Sequence, residues 1–161
     1  MLICLMRHGI AADPGKAGVR TDADRPLTTE GRDKTEQMAR ALQRLKIRPQ
    51  RILSSPLRRA RETAEIVGGI LDAKVETAAF LKPGGEPEDA LIRIRAEAFQ
   101  SVFLVGHMPD LSYLAAWLLP GLEPQGLIFK KAGVAEIEFE ESVRRGCGRL
   151  IGFYSPRSLI G

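Results

Sequence analysis

Two short runs, residues 2–6 and 102–105, contain no charged or strongly polar side chain. Each ends beside a glycine and a histidine: Arg7-His8-Gly9 follows the first and Gly106-His107 the second. Runs this short, closed by such punctuation, read as strands covered on both faces, the pattern of a parallel sheet. Arg51-Ile52-Leu53-Ser54 is a third, weaker strand. Residues 134–139 alternate well enough for a later strand, and residues 149–154 form the last. Helical stripes separate them. Met38, Leu42 and Leu45 fall at i, i+4, i+7, with Thr28 or Thr29 as N-cap after Pro26. Ala60, Thr63, Ala64, Val67 and Leu71 make a second stripe; Ser55-Pro56 would supply its N-cap and first-turn proline, and Gly68-Gly69 would weaken its end. Leu111, Leu114, Ala115 and Leu118 make a third, closed by Pro120, and residues 88–99 a fourth. Strands alternating with helices indicate an α/β fold with a largely parallel sheet.

With 161 residues, 44% hydrophobic and 27% charged, the chain reads as one domain over residues 1–161 with a core of its own. No apolar run approaches the roughly 20 residues needed to cross a bilayer. Twenty-four Lys and Arg against 20 Asp and Glu give +4, scattered without a basic run, so neither nucleic acid nor a membrane surface is an expected partner. Cys4 and Cys147 form no CxxC pair; Cys4 lies in an apolar run and reads as a small core residue. The apolar start ends at Met6 with no basic segment before it, unlike a signal peptide, so a cytoplasmic protein with reduced thiols is expected.

Three segments carry the chemistry. Arg7-His8-Gly9 follows the first strand, Ser54-Ser55-Pro56-Leu57-Arg58-Arg59-Ala60 joins a strand to its helix, and Gly106-His107 follows another strand. In open α/β sheets, ligands bind outside the carboxyl ends of the strands, so the three segments should converge there and bring together both histidines of the chain. Arg58, Arg59 and Arg61 crowd a helix start, where the dipole disfavours cations by a few tenths to about 1 kcal/mol each. The crowding makes sense if an anion binds there, with at least one of these arginines turned to solvent. A phosphate loop of the GxxxxGK[ST] type, a GxGxxG turn, a GxSxG elbow and zinc-type HExxH spacing are all absent from the sequence.

Leu5-Met6-Arg7-His8-Gly9, then Ser55-Pro56-Leu57-Arg58-Arg59-Ala60-Arg61-Glu62-Thr63, then Val105-Gly106-His107, in that order, resemble the histidine phosphatase superfamily, the phosphoglycerate-mutase-like group. Asp24-Arg25-Pro26-Leu27-Thr28 and the short chain look like its bacterial phosphohistidine phosphatase branch. The resemblance implies a three-layer sandwich, a largely parallel sheet with helices on both faces. It implies His8 as nucleophile, Arg7, Arg25 and Arg59 as phosphate ligands, and His107 as a second catalytic histidine that also touches phosphate. Arg58 falls at a variable position and inherits no role. No metal or other cofactor is implied, since arginines supply the positive charge.

The chain departs from many relatives in one respect: no acidic proton donor is evident in residues 80–89. Glu86, Glu88 and Asp89 are the candidates there, and solvated carboxylates are their plainer reading. Imidazole leaves more readily than an alkoxide because it is protonated near neutral pH, its unperturbed pKa being about 6.5. A site without a strong acid therefore suits P–N cleavage. The expected activity is a metal-independent phosphatase acting through phosphohistidine on a phosphorylated protein. The alternatives are a small-molecule phosphomonoesterase of the same superfamily and a non-catalytic phosphate-binding module. Residues 80–89 and 120–131 are too short for a lid, and the longer 9–26 is polar and Gly-rich with little apolar surface to close over a ligand, so a shallow, open site is expected.

Overall fold

The computed structural model describes residues 1–15 and 18–160. Six strands form one sheet in the order β3-β2-β4-β1-β5-β6: β1 (Leu2–Arg7), β2 (Arg51–Ser54), β3 (Lys74–Thr77), β4 (Ser101–Gly106), β5 (Val134–Glu138) and β6 (Arg149–Tyr154). The first four run parallel, whereas β5 runs antiparallel to β1, and β6 antiparallel to β5. The helices are α1 (Thr29–Arg44), α2 (Arg58–Leu71), α3 (Pro87–Ala96), α4 (Asp110–Leu118) and the short α5 (Pro156–Leu159).

Strand alternation sorts side chains into two cores. Ile3, Leu5, Leu53, Val102 and Leu104 pack with Leu91 and Ile94 of α3 and with Leu111, Leu114 and Leu118 of α4. Cys4, Met6, Ile52, Phe103 and Val105 pack on the opposite face with Met38 and Leu42 of α1 and with Ala60, Ala64 and Val67 of α2. Three layers result, because strands buried on both faces need helices on both.

Several local expectations change. β3 was not foreseen, because Lys74-Val75-Glu76-Thr77 carries one apolar residue and forms a sheet edge. Residues 88–99 shorten to a helix that begins at Pro87 and ends at Ala96. Of the two possible caps for α1, Thr28 serves: its Oγ1 accepts from the Gly31 N–H at 2.9 Å. Leu45, expected on the buried stripe, follows the end of α1 and is exposed. Gly68 does not weaken α2; it lets the helix pass so close to β3 that a Cβ would lie 2.7 Å from Val75 Cγ2. Cys4 is fully buried, and both cysteines are free.

Candidate active site

The carboxyl ends of β1, β2 and β4 lie side by side, since Met6 pairs with Val105 and Ser54 with Val105. Arg7-His8, Ser55 and His107 therefore emerge at one edge. The backbone enforces this further: His8 N donates to Gly106 O at 3.1 Å, and Ser55 N to Val105 O at 2.9 Å. The two imidazole centroids stand 5.1 Å apart.

His8 is held by its neighbours. Its Nδ1 lies 2.7 Å from the Gly9 carbonyl oxygen, which can only accept, so Nδ1 carries the proton and Nε2 keeps its lone pair. Arg59 Nε donates to that Nε2 at 3.3 Å, and Lys131 Nζ stands 3.5 Å from it. Burial first, then the charge of Lys131, push the His8 pKa down to about 2, so the ring is neutral at physiological pH. Gly9 is required for this approach: a Cβ there would lie 2.6 Å from Thr35 Oγ1 on α1. Its N–H donates to Thr63 Oγ1 at 3.0 Å, and that hydroxyl donates to Arg59 O at 2.7 Å. One side chain of α2 thus ties the backbone beside His8 to the helix that carries Arg59.

Ser55 does not cap α2 as expected. The helix starts at Arg58, after Leu57, with no side-chain cap. Ser55 Oγ accepts from Leu57 N at 3.3 Å and lies 2.8 Å from His107 Nε2. His107 Nδ1 is buried and has no hydrogen-bond partner among the described residues. Burial, followed by the charge of Arg59, lowers the His107 pKa to about 4.

Arg59 is buried, and its guanidinium is held by Asp22, through the carbonyl at 2.7 Å and the carboxylate at 3.0 Å. Arg25 donates to the other Asp22 carboxylate oxygen at 2.9 Å and to Ala12 O at 2.6 Å. Hydrogen bonds from Arg25 and then Arg59 hold the Asp22 carboxyl below the usual carboxylate range. Arg7 NH1 donates to Phe129 O at 2.8 Å, and its buried Nε has no partner among the described residues. All five residues expected in the site, Arg7, His8, Arg25, Arg59 and His107, are thus in one cluster. Arg58 and Arg61 are exposed, the former paired with Glu62.

The expectation of an open site is corrected. His8 and His107 are 5% and 3% exposed. The segment Asp22–Asp24 closes over Arg59 with polar groups and needs no apolar surface to do so. Lys16 and Ala17 of the same loop lie outside the described residues. Segment 120–131 is also anchored, with Leu127 and Phe129 buried. Glu86, Glu88 and Asp89 are exposed; Glu86 borders a small hollow with His107, and Glu88 accepts from Trp117 Nε1 at 3.1 Å.

Two site residues escaped the sequence reading. Asp22 sits three positions before Arg25. Lys131 precedes a strand whose start, rather than its end, lies at the site, because β5 is antiparallel. The only hint of Lys131 was the pair Lys130-Lys131 placed directly before Ala132-Gly133 and the strand.

A doubly wound sheet with a neutral histidine at the end of its first strand, among arginines and facing a second histidine, is an arrangement that can hold an anion against a nitrogen lone pair. The pattern described as the histidine phosphatase superfamily (branch 1) matches residues 3–82. Phosphohistidine phosphatase SixA of Escherichia coli K12 is 35% identical over 147 residues, 88% of each chain. An uncharacterised protein of Picosynechococcus is 40% identical, over 83% of this chain and 82% of its own. The structure of the protein histidine phosphatase SixA complexed with tungstate superposes with a TM-score of 0.87, at 34% identity and 99% coverage of both chains. A mycobacterial glucosyl-3-phosphoglycerate phosphatase shares the fold at TM-score 0.74 and 18% identity, over 96% of this chain and 99% of its own. The chain belongs to the histidine phosphatase superfamily and is a hydrolase of the phosphatase class. No helix of the described residues is long and apolar enough to cross a membrane.

Proposed function

We propose that residues 1–161 form a single histidine phosphatase domain. It removes the phosphoryl group from phosphohistidine in a protein, without a metal ion, in the cytoplasm. The observation that carries this reading is His8: a neutral imidazole, proton fixed on Nδ1 by Gly9 O, its free Nε2 between Arg59 and Lys131. In the first step the Nε2 lone pair forms a bond to phosphorus as the substrate P–N bond breaks. The electron pair goes to the departing ring nitrogen, and the substrate imidazole leaves neutral, carrying the proton already on its other ring nitrogen. In the second step water attacks phosphorus, the P–Nε2 bond breaks with its electrons returning to Nε2, and a proton is released with inorganic phosphate.

Arg7, Arg25 and Arg59 neutralise the non-bridging oxygens, and planar guanidinium forks suit them better than ammonium groups. Arg7 Nε is a buried donor with no partner among the described residues, which supports its serving one of these oxygens, and His107 faces the same centre with its Nδ1 likewise unpartnered there. The exposed positions of Glu86, Glu88 and Asp89 support a leaving group that needs no strong acid. The named activity of the Escherichia coli relative supports the substrate class. The free thiols of Cys4 and Cys147 support a reducing compartment.

The test is a rapid quench during turnover of a phosphorylated histidine-containing phosphotransfer protein. Label should be trapped on His8 as an acid-labile, base-stable adduct, and His8→Ala should be inactive. Turnover should survive EDTA. A panel of small phosphate esters should give lower kcat/KM; a small ester approaching the diffusional ceiling of about 10⁸ M⁻¹s⁻¹ would favour the small-molecule reading. Undiminished turnover in His8→Ala would exclude the phosphohistidine route. Phosphate binding without turnover of any substrate would leave the binding-module reading.

A further inference from the structure

We propose that Lys131 is a catalytic residue of this site, donating from its ammonium to a non-bridging oxygen of the phosphoryl group as that group passes to and from His8 Nε2. The proposal rests on the reading of His8 as nucleophile. It starts from position: Lys131 Nζ is 3.5 Å from Nε2, and Arg59 Nε is 3.3 Å from the same atom. A phosphorus bonded to Nε2 holds its oxygens in a shell slightly further out, so a donor at this radius meets one of them.

The position is built in. Ala132 N donates to Arg7 O at 3.1 Å and to His8 O at 3.3 Å, and Arg7 N donates to Gly133 O at 3.0 Å. Lys131 is thereby stapled to the strand end that carries His8. Ala132 takes a left-handed φ of 58° to make the turn, a conformation that costs energy in a residue with a Cβ.

The charge arrangement gives the reason. Lys131 is half-buried and forms no ion pair with a carboxylate among the described residues. The charged groups that act on it are the guanidinium groups of Arg7, Arg25 and Arg59, opposed by Asp22. His8, the remaining titratable group in contact with it, is neutral. Three guanidinium groups acting on one half-buried ammonium is an unfavourable arrangement that a phosphoryl dianion relieves. Burial and then the three arginines bring the Lys131 pKa down to about 8, leaving it ionised at neutral pH. It holds its proton through the cycle and acts as a hydrogen-bond donor, so the bond changes given above are unaltered.

The signature is a pH profile. kcat/KM, which reports the free enzyme, should fall with an alkaline limb near pH 8. In kcat the limb should move upward, since the bound dianion favours the ammonium. Lys131→Met should bind tungstate at least about tenfold more weakly by calorimetry, and should lose about 100-fold in kcat/KM on a phosphorylated phosphotransfer protein, the cost of one preorganised donor. Lys131→Arg should keep tungstate binding within about tenfold and abolish the alkaline limb, because guanidinium does not titrate in that range. Lys131→Gln repeats the loss of charge with a polar side chain if the Met variant folds poorly. Tungstate affinity within twofold of wild type in the Met and Gln variants, or an unchanged limb in either or in the Arg variant, overturns the proposal. His8→Ala separates the two readings: if it is inactive while Lys131→Met matches wild type, only the role of Lys131 falls. If His8→Ala turns over, the nucleophile assignment itself falls.

Discussion

The hydroxyl of Ser55 had two possible uses, capping α2 or orienting His107, and the fold gives it to His107. A side-chain cap is commonly worth about 1 kcal/mol, so helix stability is given up for a contact that orients one imidazole. His8 is fixed by a backbone carbonyl instead. The adjacent pair Arg58-Arg59 divides just as sharply. Arg59 is buried against His8, whereas Arg58 is exposed and paired with Glu62 in the next turn. Arg59→Ala should cut kcat/KM by about 100-fold or more, with poor rescue by Lys. Arg58→Ala should stay within a few-fold, because exposed i,i+4 pairs contribute only about 0.3–0.5 kcal/mol. Equal losses in steady-state assays of the two variants would misplace the motif on the helix by one residue.

At the scale of elements, what the sequence made legible were the parts with a strong period or strong punctuation. Residues 2–6 of β1 and 102–105 of β4 are apolar, and a parallel strand fixes which end meets the ligand, so His8 and His107 could be located without coordinates. β3 has too little apolar content to register, and its omission cost nothing at the site. The direction of β5 was not legible, since alternation is the same read either way, and Lys131 was lost with it. Asp22 was lost because a short polar turn carries no periodic signal. The coupling of elements is itself testable. Thr63 is fully buried on α2 and joins Gly9 of the β1 loop to the helix. Thr63→Val keeps the shape but orphans the Gly9 N–H, and should cost about 1–3 kcal/mol in denaturant titrations. An unchanged midpoint would mean that the Gly9 contact is dispensable.

For the molecule as a whole, the buried histidines couple stability to pH. Both have folded pKa values below the ordinary 6.5, near 2 for His8 and near 4 for His107. Below pH 6.5 the unfolded chain binds protons that the folded chain refuses, so stability falls as pH falls from about 6.5 toward 4. Denaturant unfolding at pH 5 should show roughly 2–4 kcal/mol less stability than at pH 7. His8→Asn should remove about half of that difference. Glu136, whose carboxyl is raised by burial, acts in the opposite sense but is common to both proteins. A pH dependence identical in the two would show that His8 titrates normally.

The carboxylate of Asp22 spans Arg25 and Arg59 and can be seen as a resident counter-ion. The site then works like an exchange resin already loaded with its weakest acceptable anion. An incoming group must out-compete a tethered monoanion, which a dianion with three oxygens does and chloride or acetate does not. Exchange also sets the return journey, because the same carboxylate is at hand to displace inorganic phosphate once it has formed. Asp22→Asn should therefore bind inorganic phosphate about tenfold more tightly, roughly 1.4 kcal/mol, and show stronger product inhibition in progress curves. If the Asn variant instead binds phosphate more weakly, the carboxylate orients the arginines for the ligand, and the site carries no counter-ion to exchange.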